Sequence, residues 1–222
     1  MKIKAIITGS TGMVGEGVLH VCLNSPEVES VLVINRKPCG VNHPKLKEII
    51  HKDFMHLSPI LEMLSSYNAC YFCAGVSSVG KKEEEYKRIT YDLTLSFANT
   101  LVQLNPDMVF TYVSGVGTDT TEKGKSMWAR VKGKTENDLM NLPFRDVYAY
   151  RPGYIQPIKG LRNTYKAYKL ISPFYPILEK LFSKYVGTLD EIGNSMIKVT
   201  RSGYNKKVLE IVDIRKTVKA HE

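Results

Sequence analysis

The sequence predicts an α/β domain whose parallel β-sheet is covered by helices on both faces. Short apolar runs alternate along the chain with amphipathic segments of helical period, which is typical of strands joined by helical crossovers. A glycine-rich turn also stands between the first apolar run and the first amphipathic segment. With 222 residues, 43% of them hydrophobic and 24% charged, the chain suits a single domain, residues 1–222, with a sizeable core.

Four strands and two helices are predicted between the start of the chain and residue 75. The strands are short apolar runs bounded by turn residues. In the first helix, Met13, Val14, Val18, Val21 and Cys22 share one helical face. The predicted strands cover residues 2–9, 28–36, 46–53 and 68–75, and the predicted helices cover residues 12–25 and 58–67.

The alternation continues to residue 153 and then stops. Beyond it, the segment 154–186 is aromatic, basic and interrupted by prolines, and we expect a small helical region there that covers the substrate. A helix capped by Thr188 and a closing strand follow this segment. The predicted helices cover residues 81–105, 121–142 and 188–201, and the predicted strands cover residues 107–115, 145–153 and 206–214.

Charge and cysteine content limit the partners. The formal charge of +9 is spread along the chain without an arginine-rich arm, so it indicates small phosphorylated anions rather than nucleic acid. Four cysteines are too few for a disulfide framework in a chain of this length. Cys70 and Cys73 lie three positions apart in a predicted strand, where their side chains point to opposite faces. We therefore expect buried free thiols and no metal site.

The location is predicted to be cytoplasmic. No apolar run approaches the roughly 20 residues of a membrane helix, and too few apolar residues precede the first glycine turn for a signal peptide. The protein is expected to be a monomer or a homodimer. The basic aromatic segment 161–186 has two interpretations, a helical lid or a peripheral membrane or partner contact, and Pro173 and Pro176 favour the lid.

The turn "ITGSTGMVGEG" places Gly9, Gly12 and Gly15 between the first strand and the first helix. Gly9 permits the tight turn, and Gly12 lets the backbone approach a pyrophosphate. Gly15 lets the helix pack close to the sheet while its N-terminal amides face the anion. Because a strand and a helix flank the glycines, the sequence favours a dinucleotide site over a purely structural turn.

Together with this turn, later segments resemble the short-chain dehydrogenase/reductase superfamily, in its atypical and extended branch of nucleoside-diphosphate-sugar epimerase relatives. These segments are "CAG" after the fourth strand, Ser114 after the fifth, Lys132 in the next helix and "YRPG" after the sixth. The resemblance implies a Rossmann fold, a doubly wound parallel sheet that binds NAD(P) over the carboxyl ends of its strands. The cofactor-binding residues that it implies are Thr8, Gly9, Ser10, Thr11, Gly12, Met13, Val14, Gly15, Arg36, Lys37, Asp53, Phe54, Ala74, Gly75, Lys132, Pro152 and Gly153.

The end of the second strand predicts which cofactor is preferred. An acidic residue there bonds the ribose hydroxyls of NAD, but this chain has Arg36 and Lys37. A guanidinium at this position suits a 2′-phosphate, so NADP is favoured over NAD, although a solvated basic turn also explains these charges. Asp53 and Phe54 lie where the family holds the adenine, and Asp53 is equally explained as a loop cap.

The resemblance implies a reaction that uses a serine, a tyrosine as general acid or base and a lysine four residues after the tyrosine. Ser114 and Lys132 fit this pattern, but Trp128 stands at the tyrosine position. An indole N–H donates a hydrogen bond and does not release a proton. Tyr112 and Tyr154 are the alternative proton donors near the expected pocket.

A tyrosine–lysine pair of the right spacing, Tyr165 and Lys169, follows the sixth strand, which is the wrong place in the order, and we interpret it as a chance match. Three functions stay open. The favoured one is an NADP-binding oxidoreductase or epimerase-like enzyme that acts on an unidentified small molecule, with Ser114, Lys132, Trp128 and Tyr154 as its catalytic candidates. The others are a catalytically silent NADPH sensor or scaffold and a docking role for segment 161–186.

Overall fold

The structure is a computed structural model that describes residues 2–164, 168 and 172–219. The strands in these residues are β1 Ile3–Thr8, β2 Val28–Asn35, β3 Leu46–Ile50, β4 Ala69–Phe72, β5 Val109–Val113, β6 Asp146–Arg151, β7 Tyr154–Gln156, β8 Val186–Thr188 and β9 Val208–Glu210. One parallel sheet has the order β3-β2-β1-β4-β5-β6-β9, and β7 pairs with β8 in a small second sheet. The strand order reverses between β1 and β4, which confirms the predicted doubly wound sheet.

Helices cover both faces of this sheet. The predicted helix over residues 81–105 contains a π-helical turn, Arg88–Asp92, between two α-helical parts. The predicted helix over residues 58–67 is a 3₁₀ helix, Ser58–Leu64. The α-helices are α1 Met13–Asn24, α2 Glu83–Lys87, α3 Leu93–Leu104, α4 Met127–Met140, α5 Tyr175–Phe182, α6 Leu189–Ser202 and α7 Ile211–Lys219.

Two apolar cores lie on the two faces of the sheet. Strand residues alternate between them, so that Ile7 packs with α1 and α6 on one face while Ile6 packs with α3 and α4 on the other. Cys70 belongs to the second core and Cys73 packs against the first, as the strand pattern predicts. All four cysteines are unpaired, and burial raises the pKa of the Cys73 thiol to about 12.

The C-terminal part of the chain confirms one prediction and corrects another. Thr188 caps α6 through a capping box: its hydroxyl accepts from the Glu191 amide at 3.1 Å, and the Glu191 carboxylate accepts from the Thr188 amide at 2.8 Å. The closing strand predicted over residues 206–214 is only three residues long, because α7 begins at Ile211. The Asp213 carboxylate accepts from the Glu210 amide at 3.1 Å and thereby helps to end the strand and start the helix.

Hydrogen bonds and an ion pair tie the segment after β6 to the rest of the fold. Glu16, buried in the first turn of α1, accepts hydrogen bonds from the backbone amides of Arg162 at 2.9 Å and Asn163 at 2.8 Å. Arg215 of α7 pairs with Glu179 of α5 at 2.8 Å. The pair Tyr165 and Lys169 lies outside the described residues.

The outer face of α5 and its flanks is apolar and exposed. Half of the large apolar side chains that are exposed in the described residues lie between positions 174 and 185, and these are Phe174, Ile177, Leu181, Phe182 and Tyr185. Within the described parts of the chain, no helix is both long and apolar enough to cross a lipid bilayer.

Candidate functional site

The turn after β1 has the backbone geometry of a phosphate-binding loop. Gly9 has a φ of +72°, and a Cβ there would lie 2.6 Å from the Ala74 amide nitrogen. The Gly12 amide donates to the Gly9 carbonyl at 2.9 Å and closes the turn. A Cβ on Gly15 would collide with the same carbonyl, whereas a Cβ on Gly12 would meet nothing closer than 3.4 Å. Gly9 and Gly15 are therefore required by the fold, and Gly12 keeps free space in front of α1.

That free space is a cavity of about 270 Å³ at the point where the strand order reverses. A smaller cavity of about 100 Å³ shares four lining residues with it, Arg36, Phe54, Ala74 and Gly75. Ile89 and Leu93 give the smaller cavity an apolar wall. Ligands of doubly wound folds bind at this reversal, so the two cavities mark a candidate dinucleotide site. The larger cavity is lined by Gly9, Thr11, Gly12, Ile34, Asn35, Arg36, Phe54, Cys73, Ala74 and Gly75.

Several predicted cofactor residues support the turn without lining either cavity. The Thr8 hydroxyl accepts from the Ala74 amide at 3.2 Å, and Ser10 bonds the Asn35 side chain at 2.8–3.0 Å. Met13 is buried in the core, and Val14 packs against it. These contacts fix the strand ends against each other.

The mouth of the site is basic. Asn35, the last residue of β2, is buried, and its amide group donates to Ser10 and to Glu48 at 2.8 Å. Arg36 then projects from the strand end as an exposed cation, with Lys37 exposed beside it but outside the cavity lining. Lys52 lines the smaller cavity together with Arg36, and sequence reasoning did not select it. The cavity is therefore suited to an anionic group.

Asp53 and Phe54, the two predicted cofactor residues in the loop after β3, have different surroundings. Asp53 is exposed, and its carboxylate pairs with His56 at 2.8 Å and accepts from the Met55 amide at 3.0 Å. The hydrogen bond from His56 holds the pKa of this carboxyl below its ordinary value. Phe54 is buried, lines both cavities and stacks on Phe97 with 5.8 Å between ring centroids. Asp53 thus has the geometry of a loop cap, while Phe54 forms a cavity wall.

The ends of β5 and β6 meet α4 in a hydrogen-bonded network. The Ser114 hydroxyl donates to the Glu136 carboxylate, and the Lys132 ammonium donates to the Ser114 carbonyl. Glu136 is fully buried and pairs with Arg151, whose Nε lies 3.0 and 3.2 Å from its two oxygens. Sequence reasoning missed Glu136 and Arg151, although the first lies one helical turn after Lys132 and the second belongs to "YRPG".

Desolvation lowers the pKa of Lys132 from 10.5 to about 8, and the Glu136 carboxylate opposes this shift. Among the described residues, Lys132 forms no ion pair, because Arg151 and Ser114 take both oxygens of Glu136. An ammonium group that is removed from water without a carboxylate partner loses its proton more easily. The site therefore holds a lysine whose pKa lies well below that of an exposed lysine.

The remaining candidates surround this network. The Trp128 ring packs over Gly117, where an added Cβ would lie 3.3 Å from a ring carbon, and its indole N–H makes no hydrogen bond within the described structure. Tyr154 stacks on Tyr168, and its phenol donates to Gln156 at 3.1 Å. Tyr112 is buried, and burial raises its pKa well above the ordinary value.

The "YRPG" turn joins β6 to the small sheet. The carbonyl of Pro152 accepts from the Val116 amide at 2.9 Å, and a Cβ on Gly153 would collide with the Tyr185 backbone. The turn therefore holds the loop that follows Ser114 against the start of the covering segment.

The buried ion pair gives a prediction about stability. We expect Glu136→Leu to reduce the free energy of unfolding by about 3 kcal/mol or more, because the partly buried Arg151 guanidinium loses its carboxylate. Urea unfolding followed by circular dichroism measures this loss. The double variant with Arg151→Leu should recover most of it, and Glu85→Ala, which breaks an exposed pair with Lys81, should change stability by less than about 1 kcal/mol. Equal losses in the single and double variants would contradict the prediction.

Comparison with known proteins agrees with this architecture. The NAD dependent epimerase/dehydratase family matches residues 5–150. The protein FMP52, mitochondrial, of Candida albicans is 27% identical over 154 residues, which are 68% of this chain and 66% of that protein. The protein of the same name from Debaryomyces hansenii is 27% identical over 166 residues, 72% of each chain. The matches thus span about two thirds of the length of these relatives.

Two solved structures show the same fold at low identity. The Bordetella bronchiseptica enzyme WbmG in complex with NAD superposes with a TM-score of 0.69 and 12% identity, over 99% of this chain and 78% of that one. A short chain dehydrogenase from Burkholderia cenocepacia in complex with NADP has a TM-score of 0.67 and 12% identity, over 99% of this chain and 94% of that one. These neighbours show that the chain has the same Rossmann-type α/β fold.

The comparisons also correct one prediction. The FMP52 relatives are mitochondrial by name, so the expected cytoplasmic location is wrong. Neither composition nor the start of the chain indicated this. The family match covers β2 to β5, most of β1 and β6, the glycine turn and both Ser114 and Lys132, and on this basis the chain belongs to the NAD dependent epimerase/dehydratase family.

Proposed function

We propose that the protein is an NADP-dependent oxidoreductase or epimerase-like enzyme that acts on a small molecule. The observation that carries the proposal is the paired cavity at the reversal of strand order, with Gly12 leaving open space in front of α1 and Arg36 and Lys52 at its mouth. The residues present fit a dinucleotide: backbone amides face its phosphates, and Phe54 and Leu93 give an apolar wall for a base. The bound cofactor supplies or accepts a hydride.

The predicted site residues receive the following proposed roles. We propose that Ser114 bonds the substrate oxygen and that Lys132, which donates to the Ser114 carbonyl, lies beside the nicotinamide ribose. The Trp128 indole N–H, which has no partner among the described residues, is proposed to donate a hydrogen bond to the ligand. Tyr154 begins the segment 154–186, which we propose covers the substrate within one domain of 222 residues. The contacts of Glu16 with residues 162 and 163 support this assignment, because they bring the segment to the first turn of α1.

The preference for NADP gives a second prediction. Arg36→Ala should weaken NADP binding about tenfold or more and leave NAD binding almost unchanged, because it removes a charge-assisted hydrogen bond worth roughly 1.5–3 kcal/mol to the 2′-phosphate. Titration calorimetry with both cofactors measures the two affinities. Lys52→Ala should act in the same direction, and Lys47→Ala, on the exposed surface of β3, is the matched control. Equal affinity of the unmodified protein for NADP and NAD would contradict the preference.

A catalytically silent NADPH sensor is the second candidate function, because Trp128 has no dissociable proton. Turnover distinguishes the two functions. NADPH oxidation is followed at the nicotinamide absorbance with a panel of aldehydes, ketones and quinones. Turnover with any of them supports the enzyme, whereas tight NADPH binding without turnover favours the sensor.

A further inference from the structure

We propose that Lys132 is the proton donor of this site when a carbonyl group is reduced. We further propose that Arg151 leaves the Lys132 ammonium without a carboxylate partner, because Arg151 binds the Glu136 carboxylate. The proposal rests on the proposed oxidoreductase function. It differs from what the family resemblance implies, where the lysine binds the ribose and a tyrosine transfers the proton. Lys132 thus becomes a catalytic residue, and Glu136 and Arg151 become positioning residues.

The other groups around the site are buried, engaged in hydrogen bonds or without a dissociable proton. Trp128 carries an N–H that does not dissociate. The phenol of Tyr112 is buried in the core below the site, and the phenol of Tyr154 donates to Gln156. The Ser114 hydroxyl is directed to Glu136. Lys132 is the group in this cluster that combines a dissociable proton with free hydrogen-bonding capacity.

The Lys132 ammonium has hydrogen-bond donors that its contacts leave unused. Its ammonium group donates one hydrogen bond, to the Ser114 carbonyl, and its two other N–H bonds have no acceptor within the described structure. Glu136 lies four residues later on the same helix, at the spacing that favours a pair with Lys132. Arg151 prevents this pair, because its Nε and Nη2 bind both oxygens of that carboxylate.

Glu136 on α4 stabilises the ammonium form of Lys132, and Arg151 at the end of β6 binds that carboxylate. Tyr112 on β5 stays a neutral phenol. The balance leaves Lys132 with a pKa of about 8, which is close to the value that suits a general acid at neutral pH.

The hydride would come from the reduced nicotinamide of bound NADPH, whose C–H bond would break as the cofactor is oxidised to NADP. A C–H bond forms at the carbonyl carbon, the π-electron pair of the C=O bond moves to oxygen, and this oxygen takes a proton from the Lys132 ammonium. One N–H bond breaks, one O–H bond forms, and the lysine is left as a neutral amine that solvent reprotonates. The reverse reaction, oxidation of an alcohol, starts from the amine.

Lys132→Arg tests the step directly. Arginine keeps the positive charge and the hydrogen-bond donors but does not release a proton. We expect NADPH affinity within about threefold of the unmodified protein and a loss of carbonyl reduction of about 100-fold or more. Lys134→Arg, on the exposed side of the same helix where Lys134 pairs with Asp138, is the matched control and should keep its activity. Full activity of Lys132→Arg would overturn the proposal.

A measurement of the Lys132 pKa tests the part played by Arg151 without any turnover. Lysines carrying ¹³C-methyl groups are titrated by NMR, and the Lys132 signal is the one missing from Lys132→Arg. We expect a midpoint near 8 in the unmodified protein, a higher midpoint in Arg151→Gln and a lower one in Glu136→Gln. If Arg151 and Glu136 only supported the fold, their substitution would not shift the Lys132 pKa in opposite directions. A midpoint near 10.5, or shifts of the same sign, would overturn the proposal.

The rate profile completes the test. Reduction requires the ammonium form, so turnover should be constant below the pKa of Lys132 and fall about tenfold per pH unit above it, with the midpoint displaced in the two variants as in the NMR titration. If the unmodified protein turns over no carbonyl compound, the proposed function fails. If turnover occurs and survives in Lys132→Arg, only the proton-donor proposal fails.

Discussion

Gly12→Leu is expected to abolish dinucleotide binding while the protein stays folded. An added Cβ at this position meets no protein atom closer than 3.4 Å, so the turn accepts a side chain without moving. The leucine side chain is then expected to fill the cavity in front of α1, where we propose that the pyrophosphate approaches the backbone. Titration calorimetry with NADPH and NADP measures the loss, and circular dichroism with a thermal scan checks the fold.

Gly15 provides the contrast for this result. A Cβ there collides with the Gly9 carbonyl, so Gly15→Ala should lower the melting temperature as well as the affinity. Gly160→Ala, at a position with open space around it, should leave binding unchanged and cost only the strain of a positive φ. A folded Gly12→Leu protein with unchanged affinity would show that the dinucleotide does not bind at this turn.

Trp128→Tyr is expected to increase carbonyl reduction by about 100-fold. The substitution places a phenol four residues before Lys132, on the same face of α4, and the ammonium group beside it lowers the phenol pKa. General acid catalysis contributes about 100- to 10,000-fold, and the lower end is expected because Lys132 already supplies a proton. Initial rates of NADPH oxidation, measured with the same panel of aldehydes, ketones and quinones, give the increase.

Trp128→Phe is the matched control for this experiment. It removes the indole and leaves a ring without a hydroxyl, so a gain caused by space alone would occur in both variants. We expect no gain in Trp128→Phe. A similar increase in the two variants would show that Trp128 restricts access to the site and that the phenol has no chemical part.

The sequence predicts the geometry of the glycine turn because most of its physical requirements are local. Gly9 has a positive φ, Gly15 closely approaches the Gly9 carbonyl, and Gly12 leaves space in front of α1, all within a strand, a turn and a helix that follow one another in the chain. The order of strands follows from the same alternation of periods. For that reason the sequence alone predicted the doubly wound sheet and placed the candidate site at the carboxyl ends of its strands.

Features that depend on distant segments were not predictable in this way. Lys52 reaches the cavity only because β3 lies at the edge of the sheet beside β2, and Arg151 meets Glu136 only when β6 packs beside α4. The predicted bounds of the closing strand were wrong for a different reason. Ile211 and Ile214 fit a buried strand and a buried helix equally well over so short a run. The predicted cytoplasmic location was wrong because the pattern of strands and helices contains no information about targeting.

The contact between Glu16 and the backbone of Arg162 and Asn163 has a thermodynamic consequence. It joins the helix proposed to face the cofactor phosphates to the segment proposed to cover the substrate, so we expect a ligand that orders one of them to lower the entropic cost of ordering the other. Because binding linkage is reciprocal, we expect the substrate to tighten cofactor binding by the same factor as the cofactor tightens substrate binding. Glu16→Gln, which removes one of the two acceptor oxygens, should reduce this cooperativity more than it reduces either affinity alone.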